Sequence, residues 1–427
     1  MDAWLGQAGA AVGGAADGGA AVTMTSLLAL YAPVFIAALA ASLIATPLVR
    51  RLAFRLGAID KPDFVRKAHT RPVAYMGGVA VLAGLVAGIG LSYLLMSRAP
   101  MEFRGVPMAV VIGMVAIALT GLADDLWGWD PRLKIAGQLV AAAALAIEQV
   151  GVKVAAGIIV PLAQFVDPSL NSADLVFPIP MPWGPVSFDV IYWVGTAIIA
   201  IFVLGGCNAA NLIDGLDGLL SGVTGIVAAG LLAISLLMAT SGKIVPPDAA
   251  GVESLAGARI VLSLAALGAV LGFLPYNFNP ARIFLGDCGS LLLGYCSVVV
   301  ILMLGDEGMT HLVVCGLIVF SIPIIDTLFA IVRRKRAGVS LSGADSEHIH
   351  HKLLRRTGTV RKAVLRLYAL GAAFALFGAG LAAMVLETDY RARHVYLIAG
   401  LYGIGVVLVA IRMSKSTGPA PVSKPAP

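Results

Sequence analysis

Long apolar segments recur along the chain from residue 26 to residue 412, and short polar segments separate them. Each apolar segment is close to the roughly 20 residues that a helix needs to cross the hydrocarbon core of a bilayer. Glycine and alanine are frequent within them, as close helix packing in lipid allows. The pattern predicts an all-α polytopic membrane protein with about eleven transmembrane helices. The predicted spans are 26–49, 75–97, 106–123, 134–150, 190–206, 218–240, 258–275, 288–304, 311–332, 364–386 and 394–412.

The composition of the 427 residues supports this class, because 59% are hydrophobic and only 13% are charged. Soluble domains average about 45–50% apolar and about 25% charged residues. A soluble fold would therefore have to bury too much apolar surface.

The distribution of basic residues predicts the orientation. Most of the 30 Lys and Arg residues fall in segments that an odd number of spans places on one side. Because cytoplasmic loops carry the excess of positive charge, we expect the N-terminus outside and the C-terminus in the cytoplasm. The net charge of +6 then reflects topology and attraction to anionic lipid rather than nucleic-acid binding.

The chain divides into three predicted parts around this membrane domain. Residues 1–25 are rich in Ala and Gly without a basic start, so we expect a flexible extracytoplasmic leader, with Met24 as an alternative start. Residues 26–412 form a single integral membrane domain, and 413–427 a disordered cytoplasmic tail. The longest outside connection, 151–189, alternates Val and Ile with Pro and Trp, which predicts a small periplasmic hairpin.

Polar residues that are unusual for a membrane protein gather in five segments, and the predicted topology places all five on the cytoplasmic side. Their coincidence indicates one site at the bilayer surface. The segments are 60–78, 121–138, 208–220, 275–294 and 333–358.

Two pairs of carboxylates stand out in these segments. Asp124 and Asp125 end one span, and adjacent carboxylates repel unless a cation is near. The alternative for this pair is a solvated helix end. Asp214 and Asp217 have the spacing that places side chains on one face of a helical turn, with a glycine after each for close approach of an anion.

Two amides and one further acid complete the pattern. Asn208 and Asn211 repeat the same spacing, although Asn211 taken singly is more often a helix cap. Asp287 lies between two glycines just before the eighth span, where a metal ligand is predicted and an N-cap is the ordinary role, and one residue can fill both. Oxygen ligands near phosphates suit Mg²⁺, a hard ion that keeps waters and shares substrate phosphates.

The sequence HIHH contributes three histidines, His348, His350 and His351. His348 and His351 have the spacing to share a helix face, but no cysteine and no suitably spaced fourth ligand supports a zinc site. With basic neighbours such as Arg355, they are predicted to donate to a phosphate or nucleotide. Asp326 lies inside the ninth span, where an ionisable group is either functional or paired with a polar group near the cytoplasmic end.

Acids for a cation, bases for phosphate and glycines for close approach suit an enzyme that joins a soluble diphosphate to a lipid phosphate. A membrane prenyltransferase also uses acidic motifs with Mg²⁺, but it leaves the segments NLIDGLDG and HIHH unexplained. A transporter is disfavoured, because transporters place their polar groups near the bilayer midplane.

The combined motifs resemble those of the polyprenyl-phosphate N-acetylhexosamine-1-phosphate transferases, glycosyltransferase family 4. They are DD at 124–125 followed by PRLK, NAANLIDGLDGL, PARIFLGDCGS and HIHH. The sequence HIHH is similar to the histidine motif of the family branch that transfers GlcNAc-1-phosphate to undecaprenyl phosphate. The resemblance implies ten or eleven spans, Mg²⁺ or Mn²⁺, a homodimer, and an active site on the cytoplasmic face of the bacterial inner membrane.

The implied reaction converts UDP-GlcNAc and undecaprenyl phosphate into undecaprenyl-diphospho-GlcNAc and UMP. UDP-MurNAc-pentapeptide or another UDP-N-acetylhexosamine is the alternative donor. The transfer is either a direct in-line attack by the lipid phosphate or a two-step reaction through an aspartate.

The resemblance also implies roles for individual residues. The implied metal ligands are Asp287 and Asn211. The implied catalytic carboxylates are Asp124 and Asp125, beside the lipid phosphate with one as its base, and Asp214 and Asp217, in the nucleotide and metal region. The implied substrate contacts are Lys67 and Lys134 with phosphates, Asn208, Phe284 with uracil, and His348, His350, His351 and Arg355 with the sugar-diphosphate.

Overall fold

The structure is a computed structural model that describes residues 22–60, 72–99, 103–182, 184–241, 254–338 and 348–415. Within these residues lie fourteen α-helices and two small two-stranded sheets. The prediction of an all-α polytopic membrane protein is confirmed. Lys67, most of the predicted leader and most of the predicted tail lie outside the described residues.

Twelve of the helices within the described residues follow the predicted apolar segments, whereas α5 and α12 lie in segments that were predicted as connections. The first seven are α1 Met24–Leu56, α2 Gly77–Leu95, α3 Met108–Trp127, α4 Pro131–Ile147, α5 Ala156–Val166, α6 Val190–Ile213 and α7 Leu219–Thr240. The remaining seven are α8 Ala256–Asn277, α9 Gly286–Met303, α10 Thr310–Val319, α11 Ser321–Ala337, α12 Ile349–Thr357, α13 Val360–Glu387 and α14 Ala392–Lys415.

Nine of the described helices are long and apolar enough to cross a bilayer, and two bent helix pairs raise the number to as many as eleven. One bent pair is α4 with the segment Val152–Val166, at 80°, and the other is α10 with Ser321–Arg336, at 79°. The chain is a multi-pass membrane protein. Which side each loop faces stays a prediction.

The segment 311–332 was predicted as one helix, but the structure divides it at Phe320 into α10 and α11, which together remain long and apolar enough for one span. Pro323 explains the position of this break. In a continuous helix the proline ring would clash with the carbonyl of Val319, whereas the first turn of a new helix tolerates it. The Tyr402 hydroxyl of α14 donates a hydrogen bond of 2.8 Å to Ser321 Oγ at the start of α11.

The predicted hairpin within 151–189 is present. Strands β3 (Val176–Ile179) and β4 (Val186–Asp189) pair antiparallel. A second hairpin joins β1 (Ile59–Asp60) to β2 (Val73–Ala74).

Helix α9 lies at the centre of the bundle, since every residue from Cys288 to Met303 is buried. A helix that is apolar all round is stable only when other helices surround it. Helices α2, α3 and α6 pack around α9. The first turn of this central helix is therefore held in place by several neighbours, and Asp287 lies in that turn.

Small residues allow the helices to approach closely. A Cβ atom on Gly84 of α2 would lie 2.7 Å from the Ala38 carbonyl oxygen of α1 and 2.9 Å from Ala269 Cβ of α8. On the same helix, a Cβ atom on Gly90 would meet nothing within 4 Å.

We predict that Gly84→Ala lowers the free energy of unfolding by about 1–3 kcal/mol, the usual cost of overpacking. Gly90→Ala is the matched control and should be neutral or slightly stabilising, because alanine is the better helix former. Thermal unfolding in detergent, followed by tryptophan fluorescence, measures both variants. Equal transition temperatures for the two would contradict the packing of α2 between α1 and α8.

Candidate active site

One cleft of about 1390 Å³ collects residues from widely separated parts of the chain. It lies where α3 ends and α9 begins, beside the connection from α6 to α7. Predicted site residues that line it are Asp124, Asp125, Asn211, Asp214, Asp217, Phe284, Asp287 and His351.

Helix α9 receives its N-terminal cap from another helix. Asp125 Oδ1 accepts a hydrogen bond of 2.8 Å from the Asp287 N–H, and its Oδ2 accepts one of 3.1 Å from the Cys288 N–H. The first N–H groups of a helix lack partners within it and favour a negative charge. The prediction of Asp287 as an N-cap is therefore wrong, because Asp287 lies in the first turn and donates to the capping carboxylate.

Gly286 is required where α9 begins. Its φ of 68° lies in the left-handed region, which non-glycine residues rarely adopt. A Cβ atom there would also overlap the Asp125 carboxylate. The glycine thus allows α3 to approach closely enough to cap α9.

The Asp287 side chain is held by two other helices, α4 and α6, and shares its cationic partner with α3. Lys134 Nζ of α4 lies 2.5 Å from Asp287 Oδ2 and 2.6 Å from Asp124 Oδ2 of α3. Asn211 Nδ2 of α6 donates to Asp287 Oδ1 at 2.8 Å and to Ser290 Oγ at 2.9 Å. Two carboxylates from different helices therefore converge on one cationic group.

The Asp217 carboxylate holds the connection between α8 and α9. Its Oδ2 accepts hydrogen bonds from Asn279 Nδ2 at 2.9 Å and from the Ala281 N–H at 3.0 Å. From the opposite side, Arg361 Nε of α13 donates to the Asn279 carbonyl at 2.9 Å. Asp217 therefore fixes the backbone beside the cleft that it lines.

The same connection is joined to the N-terminal part of the chain. The Phe284 N–H donates to the Ala74 carbonyl at 2.8 Å, and the Gly77 N–H donates to the Phe284 carbonyl at 2.9 Å. Arg50 Nε of α1 donates to the Arg282 carbonyl at 3.0 Å. These bonds fix the backbone that presents Phe284 to the cleft.

Asp214 follows the last residue of α6, and Asp217 lies in a turn before α7. The prediction that a helical turn places both on one face is wrong, although both line the cleft. Burial, together with the nearby negative charges of Asp287, Asp125 and Asp217, raises the pKa of Asp214 to about 8. Without a bound cation, Asp214 is therefore largely protonated at neutral pH.

The three histidines have different surroundings. His348 precedes α12, and its Nδ1 lies 2.7 Å from Oδ2 of the buried Asp326. His350 is buried against Gly215, and burial lowers its pKa to about 3, so its ring is neutral. His351 alone of the three lines the cleft.

The shared helix face predicted for His348 and His351 is wrong, because His348 lies outside the helix. It stacks instead on His350, with ring centroids 5.5 Å apart and planes 8° apart. The pairing predicted as the alternative role of Asp326 is confirmed by its contact with His348.

Five described residues among the predicted substrate contacts do not line the cleft, namely Lys134, Asn208, His348, His350 and Arg355. Asn208 Nδ2 donates to Gln138 Oε1 at 3.0 Å and to the Leu204 carbonyl at 2.7 Å. Lys134 contacts two lining carboxylates without lining the cleft itself.

Other lining residues were not predicted, namely Arg50, Asp60, Tyr75, Asn279 and Arg282. All belong to polar or basic segments at the ends of predicted spans, and this location is the sequence signal that could have identified them. Burial raises the pKa of Tyr75, and a hydrogen bond with Asp60 adds to the shift. The Tyr75 and Phe284 ring centroids are 6.0 Å apart, so the two rings form one aromatic wall.

The polar lining is dominated by aspartates, namely Asp60, Asp124, Asp125, Asp214, Asp217 and Asp287. Within the described residues, no group of three His, Cys, Asp or Glu side chains is arranged to hold a metal ion alone. Mg²⁺ does not need such a cage, because it commonly binds one or two carboxylates, waters and substrate phosphates. Asp124 and Asp287, whose oxygens already converge on the Lys134 ammonium, fit this type of site.

The chain is similar in sequence to known proteins over the region that forms this cleft. The sequence model of glycosyl transferase family 4 matches residues 107–305. A protein from Bacillus subtilis, named probable undecaprenyl-phosphate N-acetylglucosaminyl 1-phosphate transferase, is 33% identical over 344 residues, covering 80% of this chain and 82% of the relative. The chain belongs to this family.

Other family members are similar over a comparable length. Decaprenyl-phosphate N-acetylglucosaminephosphotransferase of Mycolicibacterium smegmatis is 34% identical, covering 80% of this chain and 81% of the relative. Undecaprenyl-phosphate alpha-N-acetylglucosaminyl 1-phosphate transferase of Escherichia coli K12 is 27% identical, covering 77% and 78%. The matched family region contains the carboxylates from Asp124 to Asp287, and His351 lies beyond it.

We predict that Asp214→Asn raises the thermal stability of the protein and that the gain grows with pH. Between the ordinary aspartate pKa of 3.8 and about 8, the folded protein keeps a proton that the unfolded chain has lost. The stability of the parent therefore falls as pH rises through this range, whereas an amide does not titrate.

The measurement is the unfolding temperature of both proteins in metal-free detergent buffer at pH 5, 7 and 9. Asp167→Asn is the control, because the Asp167 side chain is exposed and hydrogen bonds to Ser169 lower its pKa. A gain from Asp214→Asn that stays constant from pH 5 to pH 9 would contradict the raised pKa.

Proposed function

We propose that this protein transfers GlcNAc-1-phosphate from UDP-GlcNAc to undecaprenyl phosphate, giving undecaprenyl-diphospho-GlcNAc and UMP. This is the initiating step of a lipid-linked cell-envelope glycan. The observation that carries the proposal is the convergence of Asp124, Lys134, Asn211 and Asp287 from four helices in a chain of this family.

The location of the cleft suits two substrates of opposite solubility. The acidic cluster lies at the ends of membrane helices, where α3 stops and α9 starts. A soluble nucleotide sugar can reach such a position from water, and a polyprenyl phosphate can present its headgroup while its chain stays in lipid. We place this end of the bundle at the cytoplasmic face of the bacterial inner membrane and expect a homodimer.

We propose Mg²⁺, or Mn²⁺, as the cofactor. Asp287 would hold it, with the neighbouring Asn211 as a second ligand and with phosphate and water oxygens as the remaining ligands. The bound ion would neutralise negative charge on the diphosphate and on the transition state. Because six aspartates and only two arginines line the cleft within the described residues, we expect a divalent cation to bind there.

The reaction we propose is a direct in-line displacement at the β-phosphorus of the nucleotide sugar. An oxygen of the lipid phosphate forms the new P–O bond, and the bond to UMP breaks. Phosphoryl transfer depends mainly on positioning and on charge neutralisation. Lys134 lies between Asp124 and Asp287, where its ammonium group can also contact a substrate phosphate.

Asp124 is the better candidate of the adjacent pair for accepting a proton from the lipid phosphate. Both oxygens of Asp125 already accept backbone hydrogen bonds at the start of α9. Asp124 lines the cleft, and its side chain forms an ion pair with Lys134 instead of capping a helix. In the two-step alternative, an aspartate would attack instead and carry the sugar phosphate as a covalent intermediate.

The function is tested with purified protein in detergent, undecaprenyl phosphate, Mg²⁺ and a panel of UDP-sugars that includes UDP-GlcNAc and UDP-MurNAc-pentapeptide. We expect lipid-dependent release of UMP with UDP-GlcNAc as the preferred donor. Preference for another donor would reassign the substrate. Absence of UMP release with every donor would contradict the proposed reaction class.

We predict that Asp287→Asn lowers kcat by at least about 100-fold at any Mg²⁺ concentration, as loss of a group that stabilises transition-state charge typically does. Asp306→Asn is the matched control, because Asp306 lies just beyond the opposite end of α9 and pairs with Lys153 at 3.7 Å. Chelation of divalent ions should abolish activity of the parent reversibly. Near-normal turnover of Asp287→Asn would remove Asp287 from the proposed cation site.

A further inference from the structure

We propose that Asp326 is a positioning residue that fixes α12 and so holds His351 in the cleft. The inference rests on the proposed function, since it assigns a role in binding the nucleotide sugar. Asp326 lies on α11, is only 1% exposed, and does not line the active-site cleft. It therefore acts through other residues rather than on the substrate.

Both oxygens of Asp326 bind the start of α12. Oδ2 accepts from His348 Nδ1 at 2.7 Å, and Oδ1 accepts from the Ile349 N–H at 2.7 Å. A buried carboxylate is costly unless such partners satisfy it. The pairing therefore favours one position of α12 relative to α11.

The contact also replaces the helix cap that α12 lacks. His348 occupies the N-cap position, but its side chain makes no capping hydrogen bond. Asp326 supplies the acceptor from a neighbouring helix, and its negative charge complements the partial positive charge at the helix N-terminus. The start of α12 is thus joined to α11 by side-chain and backbone bonds as well as by the chain.

The position of α12 determines whether the His351 side chain lines the cleft. The His350 ring lies against Gly215, so closely that a Cβ atom on this glycine would overlap it. His351 follows and lines the cleft together with Leu354. If α12 moved away from α11, both the packing on Gly215 and the placement of His351 would be lost.

A double-mutant cycle tests this chain of contacts with UDP-GlcNAc as the probe. We expect Asp326→Ala and His351→Ala each to lower kcat/KM by at least tenfold, mainly through a higher KM for UDP-GlcNAc. If Asp326 acts through His351, the double variant should stay within about twofold of His351→Ala alone, because coupled residues are not additive. Losses that multiply would overturn the proposal.

Two further variants separate positioning from general destabilisation. Asp326→Asn keeps an acceptor for the Ile349 N–H and should recover part of the lost affinity. Thr327→Val is the matched control on the same helix, because Thr327 Oγ1 is buried without a hydrogen-bond partner within the described residues. Its kcat/KM should stay within about twofold of the parent, and an equal loss in Thr327→Val and Asp326→Asn would overturn the assignment.

Hydrogen exchange provides a readout that needs no substrate. In Asp326→Ala, the amides of Ile349–Thr357 should exchange at least tenfold faster, while those at the start of α9 stay protected. Unchanged exchange in α12 would overturn the proposal whatever the enzyme transfers. Faster exchange without any UMP release by the parent would instead contradict the proposed function and leave the anchoring of α12 standing.

Discussion

The two hydrogen bonds from the start of α9 to the Asp125 carboxylate are the contact on which the candidate site depends. They join the end of α3 to the first turn of the most central helix of the bundle. Since α9 is buried along its length, it cannot adjust its position to suit a ligand. Asp287 therefore projects from a turn that is fixed before any substrate arrives, which is the preorganisation that charge-stabilising catalysis requires.

Three aspartates bind protein backbone in the same way. Asp125 accepts from the start of α9, Asp217 from the connection that precedes α9, and Asp326 from the start of α12. Burying a carboxylate costs less free energy when its oxygens accept hydrogen bonds from N–H groups. Their contacts hold in place the segments that line the cleft, whereas Asp124 and Asp287 contribute negative charge that faces it.

Asp214 illustrates the cost of such a site. No hydrogen bond within the described residues involves its carboxyl group, and its pKa rises to about 8. The same negative surroundings that make the group hard to ionise would attract a divalent cation and the phosphates that it binds. Local destabilisation of this kind is common where a protein is organised for binding rather than for stability.

The sequence predicted which polar segments meet, because acids and amides at span ends are rare enough in a membrane protein to be informative. Pro323 also contained the signal for the broken span, although a count of apolar residues overlooked it. The sequence could not show which aspartates bind backbone, because that depends on partners more than 20 residues away, such as the Ile349 N–H that donates to Asp326.

The two asparagines of α6 show that sequence spacing alone does not predict which side chains come into contact. Asn208 and Asn211 share the spacing of neighbours on one helix face, yet only Asn211 reaches Asp287. Three residues advance the helix by about 300°, which separates the two side chains by roughly 60° around its axis. That angle is enough to direct Asn208 to Gln138 on α4, and only the packing of α4 against α6 decides it.

The proposed reaction requires Asp287 to hold a divalent cation beside the diphosphate of the nucleotide sugar. This contact can be measured by pulsed electron–nuclear double resonance on protein loaded with Mn²⁺ and UDP-GlcNAc. We expect one bound Mn²⁺ per chain with ³¹P couplings from directly coordinated phosphate, and loss of this bound population in Asp287→Asn. Bound Mn²⁺ without phosphorus coupling, or binding that Asp287→Asn leaves unchanged, would contradict it.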